Sequence, residues 1–336
     1  MNLASYGLLH FFVDMVCAWA MFAFFREGHY ENILIYNFCA FALQMPLGTL
    51  LDLLRQKMRH LPVFCASVGT FLTVLGAVLH PALLGLGNAL FHVGGGIDVI
   101  EEDFAKNRKG SALGIFVAPG AVGLYLGTIF GKQTGNLRVL LVAAVLMLVL
   151  LFILWRGRSY VQPIRTPQRL DLKTTTIAFC CFVVVVLRSW VGLSVSFPWK
   201  SLPVYGALAV LASASGKLSG GLLAARYGID KVSAVSLLLS AGCYLLSDMP
   251  SLGLLAMFLF NMSMPLTLYL LIAKLPNLPG FSFGLLTFGL FLGFLPVYAG
   301  IKLPISDAAF GAVGSILSLV LLIAAGRAAK HGKISA

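Results

Sequence analysis

Two pairs of polar side chains stand four residues apart in otherwise apolar surroundings. The first is His10 and Asp14. That spacing puts an imidazole and a carboxylate on one face of a helix, within reach of each other, and Cys17 and Met21 continue the same face. The second pair, Asn88 and His92, is followed by Gly94-Gly95-Gly96 and Asp98. Ionisable groups inside a membrane are costly unless they pair or line a water-filled cavity. The chemistry they offer is proton exchange, because burial and a neighbouring charge pull a carboxylate's protonation in opposite directions, and an arriving solute can tip the balance. The bland alternative is a hydrogen bond between helices, with His10 close to the membrane interface. Three consecutive glycines allow close helix approach or a bend. Asp98 is expected to join Glu101, Glu102 and Asp103 at a cytoplasmic surface.

Arg188 follows Val183-Val184-Val185-Val186-Leu187, a run with no other group for a guanidinium to meet. Its planar fork of donors suits a carboxylate or phosphate on a solute, or an acid such as Asp14; snorkelling to an interface is the other reading. Lys217 lies among small residues from Ser213 to Gly221, where it can neutralise an anion or snorkel to the cytoplasmic end. Asn37 and Gln44, two turns apart, and Asn261, ahead of Pro265, are candidate cavity donors or plain interhelical amides. Trp190 reads as packing or an interface anchor.

The elements that must carry these groups are membrane helices. Of 336 residues, 59% are hydrophobic and 11% charged, with a mean hydropathy of +0.94, which a soluble domain could not bury. The apolar residues fall into runs long enough to cross a hydrocarbon core, and only helices satisfy their own backbone there. Twelve helices are expected near 5–25, 33–54, 62–79, 82–100, 111–131, 139–155, 175–195, 203–225, 231–247, 251–273, 280–299 and 306–326. His80-Pro81, Met249-Pro250, Pro276, Pro279 and Pro304 mark joints.

The formal charge of +12 does not call for nucleic acid. The even-numbered loops and the C-terminal tail hold 17 Lys and Arg against 5 in the odd-numbered loops, which predicts both termini in the cytoplasm of an inner membrane. All six cysteines (17, 39, 65, 180, 181 and 243) lie within expected helices without metal-binding spacing, so neither a disulfide nor a metal site is expected. The first apolar run lacks a basic leader and carries His10 and Asp14, so it is expected to stay in the mature protein. No nucleotide-binding loop or hydrolase motif appears, which argues against an ATP-driven pump or an enzyme, and no cofactor is expected.

A basic interval divides the chain into a six-helix bundle at 1–155, a cytoplasmic linker at 156–174, a second six-helix bundle at 175–326 and a cytoplasmic tail at 327–336. Gly48-Thr49-Leu50-Leu51-Asp52 with Arg55 recurs, in weakened form, as Gly221-Leu222-Leu223-Ala224-Ala225-Arg226 at the corresponding place in the second half. The repeat resembles the loop signature of the major facilitator superfamily. That resemblance implies two pseudo-symmetric six-helix bundles, a cavity lined by the first, fourth, seventh and tenth helices, and a conformational latch formed by Gly48, Asp52, Arg55, Gly221 and Arg226. Ala225 stands where the second copy's acid belongs. Gly87-Asn88-Ala89-Leu90-Phe91-His92, Gly120-x-x-Gly123-x-x-x-Gly127 and Leu187-Arg188-Ser189 resemble the fosmidomycin-resistance-type drug:proton antiporter branch, with Val93 and Ala118 as departures.

Together these readings lead to an expected secondary transporter working by alternating access and coupled to protons. Its partners would be a small solute, protons and the lipid bilayer, and it would act as a monomer without nucleic acid. Export of amphipathic compounds, suggested by the branch resemblance, is favoured over uptake of an organic anion, suggested by Arg188 and Lys217. The competing class is a membrane sensor or assembly partner that keeps a transporter's shape.

Overall fold

A computed structural model describes residues 3–58, 60–133, 135–157 and 171–330. Most of the expected linker, 158–170, and the end of the expected tail, 331–336, lie outside the described residues. In chain order the helices are α1 (Leu3–Ala23), α2 (His29–Asn37), α3 (Gln44–Leu54), α4 (Leu61–Leu79), α5 (Pro81–Ala105), α6 (Ser111–Gln133) and α7 (Leu137–Arg156). They continue as α8 (Leu172–Ser194), α9 (Pro203–Tyr227), α10 (Ile229–Leu245), α11 (Pro250–Asn261), α12 (Ser263–Ile272), α13 (Pro279–Tyr298) and α14 (Asp307–Lys330).

Eleven spans among the described residues are long and apolar enough to cross a membrane. The expected helix at 231–247 is α10, whose 17 residues fall short of the usual membrane-spanning length. Two expected single helices are interrupted. A π-helical turn, Phe38–Ala42, separates α2 from α3, and the expected helix at 251–273 breaks at Met262 between α11 and α12. Helix starts follow local chemistry. Proline occupies the first turn of α5, α9 and α11, where its missing N–H costs nothing. Asn136 caps α7 through the Arg138 amide, and Asp171 caps α8 through that of Thr174.

The chain forms two compact units. The first runs from α1 to Asn107 and from Ile115 through α7, and includes Leu278–Phe288; the second comprises Arg108–Gly114, the chain from α8 to Asn277, and Gly289 through α14. Thus the opening residues of α6 pack within the second unit and those of α13 within the first.

In the first unit α5 is the most enclosed span. Glycine makes its packing possible. A side chain on Gly69 or Gly76 of α4, or on Gly87 or Gly94 of α5, would strike backbone of the facing helix, so α4 and α5 lie against each other at near backbone contact. The three consecutive glycines serve three different neighbours. Gly94 faces Pro62 and Ala66 of α4, Gly95 faces the rings of Tyr6 and Phe116, and Gly96 faces Phe283. No α5 break occurs there, so close packing is the use to which the run is put.

The acidic end of α5 departs from expectation. Asp98, Glu101, Glu102 and Asp103 are 6%, 7%, 1% and 0% exposed rather than set on a solvated surface. Local partners compensate their burial. The Tyr6 hydroxyl donates to Asp98 Oδ2 at 2.6 Å, Arg55 pairs with Glu101, and Lys106 Nζ lies 3.0 Å from Glu102 Oε1.

Candidate functional site

The site is assembled from α1, α5 and α6, all within the first unit. Glycines on α6 bring it onto α1. Gly123, Gly127 and Gly131 lie against the backbone carbonyls of Phe11, Met15 and Trp19, and a side chain at any of them would strike that backbone. Gly120, one turn earlier, leaves the space filled by the His10 imidazole, and a β-carbon there would stand 2.6 Å from Asp14 Oδ2. The glycine spacing visible in the sequence is therefore what admits two polar side chains between two helices.

His10, Asp14, Asn88 and His92 converge. Asp14 Oδ2 lies 3.1 Å from His10 Nε2, and Asp14 Oδ1 lies 3.7 Å from His92 Nε2. The two Nε2 atoms are 2.9 Å apart, with the rings edge to face. Asn88 Nδ2 donates to Asp14 Oδ1 at 3.1 Å and to Cys17 Sγ at 3.5 Å. Asn88 Oδ1 is buried without a hydrogen-bond partner among the described residues. Phe91 and Phe116 pack on His10, while the Asp14 side chain is 19% exposed and forms the approachable edge of the cluster.

The outer nitrogens decide the tautomers. His10 Nδ1 is 2.8 Å from the Phe116 carbonyl, and His92 Nδ1 is 2.9 Å from the Asn88 carbonyl. A carbonyl oxygen only accepts, so each Nδ1 carries a hydrogen and donates it. In neutral rings both Nε2 atoms then present lone pairs, and they present them to each other at hydrogen-bonding distance. A single cation between them, beside the Asp14 carboxylate, removes that conflict; a proton on one Nε2 is the smallest that does so.

Other expected site residues occupy different surroundings. The side-chain amides of Asn37, Gln44 and Asn261 donate to the carbonyls of Ile33, Ala40 and Met257, each four residues back in the chain. Gln44 Oε1 remains unpartnered in the first unit, where the Gln44 backbone meets Gly284. In the second unit, Arg188 is 7% exposed, and its Nη1 has no hydrogen-bond partner among the described residues. Lys217 is half-buried on α9, and its carbonyl stands against Gly114.

The two copies of the loop signature differ in the way their sequences differ. Asp52 Oδ1 and Oδ2 accept from the amides of Gly280 and Phe281 at 3.0 and 2.7 Å, capping the start of α13, while Arg55 Nε lies 3.4 Å from Asp52 and the same guanidinium pairs with Glu101. Gly48 meets Gly280 backbone to backbone. In the second unit Gly221 approaches Gly110 and Gly114 similarly, but Arg226 is exposed and lies over the Tyr227 ring at 5.2 Å.

Sequence reasoning singled out the four converging side chains, yet missed the roles of Gly120 and the Phe116 carbonyl. Gly120 had a readable signal in its spacing to Gly123. A carbonyl has none.

No protein-family model and no curated protein sequence matches the chain. Solved structures do. The E. coli fucose:proton symporter FucP is similar over 97% of each chain, with a TM-score of 0.64 and 15% identity. The human organic anion transporter TETRAN matches over 97% of this chain and 100% of its own, with a TM-score of 0.64 and 12% identity. A bacterial homologue of the iron transporter ferroportin in an outward-facing state matches over 98% and 99%, with a TM-score of 0.61 and 15% identity. The fold is thus that of a major facilitator, all-helical and membrane-spanning. The chain is a multi-pass membrane protein.

Proposed function

We propose that the chain is a major facilitator superfamily secondary transporter that moves a small solute across the inner membrane by alternating access, with proton binding at His10, Asp14 and His92 coupled to solute movement. The observation that carries this reading is the facing pair of Nε2 lone pairs beside a carboxylate. A group of that kind inside a bundle calls for one cation and must be refilled or rearranged when the bundle moves. The fold it shares with a fucose:proton symporter and an organic anion transporter supports transport as the activity, in preference to enzymatic chemistry. Asp52, Arg55 and Gly48 serve as the latch of the first half, with Gly221 and Arg226 as its weaker counterpart, and both termini lie in the cytoplasm.

The unpartnered Nη1 of Arg188 bears on the solute. A buried guanidinium with a nitrogen unpartnered among the described residues is best matched by a carboxylate or phosphate, which favours an organic anion over a neutral amphipathic compound. Export of drug-like molecules remains the prediction of the branch resemblance, and one assay separates the two. In sealed proteoliposomes, an imposed gradient of the right solute drives proton movement that Asp14→Asn abolishes and Arg188→Ala reduces at least about tenfold. If amphipathic compounds move protons and organic anions do not, Arg188 has another role. Absence of flux for every class, with solute binding retained, would establish the sensor reading instead.

A further inference from the structure

The same cluster has the donor set of a transition-metal site. His10 Nε2, His92 Nε2 and an Asp14 carboxylate oxygen all lie within 4.8 Å of one another, and each can give one bond to a shared ion. We infer that His10, Asp14 and His92 bind one divalent first-row transition-metal ion of the zinc class, with its fourth position open at the Asp14 side.

Four features of the site point to a metal. The donor set is two imidazole nitrogens and one carboxylate oxygen, the borderline mixture that suits zinc, cobalt, nickel and iron rather than magnesium or calcium. Each ring is already fixed in the metal-ready tautomer, because its Nδ1 hydrogen goes to the carbonyl of Phe116 or Asn88 and its Nε2 lone pair is turned inward. Such outer hydrogen bonds orient histidine ligands in metal sites generally. Asp14 is oriented too, by the Asn88 amide at 3.1 Å, and the unpartnered Asn88 Oδ1 adds an unsatisfied acceptor that disfavours leaving the neighbourhood without a cation.

The fit needs little movement. Metal–nitrogen bonds of about 2.0–2.1 Å in tetrahedral geometry separate two nitrogens by about 3.3 Å. The observed 2.9 Å must therefore open only slightly, which one rotation of either ring supplies. Three protein ligands and one free position are the pattern of a site that exchanges a ligand rather than a closed structural one. The 19% exposure of the Asp14 side chain puts the open position where water or a solute can reach it.

This inference goes beyond transport and does not depend on it: a chain that moved no solute would still bind the ion. The test uses full-length protein, purified in detergent, freed of metal and of any affinity tag, and titrated with Co²⁺. Visible d–d absorption of four- or five-coordinate cobalt saturating at one ion per chain is expected, with displacement by Zn²⁺ and an N/O shell at about 2.0–2.1 Å by X-ray absorption. His10→Asn and His92→Asn should abolish the bands, and Asn88→Ala should weaken binding by about 10–100-fold through loss of the support to Asp14. His60→Ala and His80→Ala, at exposed histidines elsewhere, should leave binding unchanged. Wild-type protein showing only six-coordinate aqueous cobalt overturns the inference even if the variants fail to fold. So does binding that survives both cluster histidine changes. Metal binding without flux would sink the transport proposal alone, and proton-coupled flux without metal binding would sink this one alone.

Discussion

A carboxylate and two imidazoles share their burial in the first unit and need one cation to complete them, whereas Arg188 Nη1 is buried in the second with no hydrogen-bond partner among the described residues. The contrast matters because removing water from a charge costs several kcal/mol per ion unless a partner restores what is lost. Asp14 and its histidines are therefore a site that one cation completes, and Arg188 offers a buried donor that a negative group would complete. At the other extreme of exposure stands Asp171. Its carboxylate caps α8 outside the membrane span, and hydrogen bonds from the Thr174 amide and hydroxyl hold it below the usual carboxylate range. A carboxylate depressed in the folded state stabilises above its unfolded value, about 3.9, and loses that contribution as pH falls through the folded value. Thermal unfolding in detergent should accordingly find D171N less stable than wild type at pH 7, with the difference beginning to shrink below about pH 3.9 and lost once pH has fallen through the lower folded value. A difference independent of pH would mean that the charge on Asp171 does nothing for the α8 start.

The helices of this protein are arranged by glycine as much as by apolar bulk. In lipid there is no hydrophobic force to bring one apolar helix to another, so close backbone approach has to supply the packing. α4 with α5 and α1 with α6 do this through facing glycines, and the second contact makes the pocket for His10. A β-carbon on Gly87 of α5 would strike the Thr73 and Leu72 backbone and stand 2.8 Å from Thr73 Oγ1, and the backbone cannot yield. Gly87→Val should destabilise the fold by about 1–3 kcal/mol, seen as a lower unfolding temperature in detergent. Gly135→Val, in a loop with nothing within 4 Å, should not. Equal effects would refute the claim that steric contact between α4 and α5 is what Gly87 protects. The π turn in the second span and the break at Met262 belong to this scale as well. Pro46 and Pro265 stand four residues after Ala42 and Asn261, and each lacks the N–H that would reach that carbonyl, so the sequence carried a proline signal near both interruptions.

At the scale of the whole chain, charge orients what apolarity inserts. The excess of Lys and Arg in even-numbered loops predicts that a cysteine replacing exposed Gln56 reacts with an impermeant maleimide only from the cytoplasmic side, and one replacing exposed Gly135 only from the opposite side. Labelling of both from one side would invert or break the proposed topology. Much else was legible from the chain alone. Membrane insertion, helical structure, the position of most spans and the four polar side chains of the site follow from local hydropathy and from a spacing of four, both of which are properties of neighbours in sequence. The pairing of His10 with His92, 82 residues apart, does not. Nor does the burial of Glu101, Glu102 and Asp103, which read as a solvated cluster until Arg55 and Lys106 are brought beside two of them. A side chain's cost in the membrane can be read from its type, but its partner is chosen by which helices touch. That choice rests on backbone approach at glycines such as Gly120, and only the tertiary structure makes it.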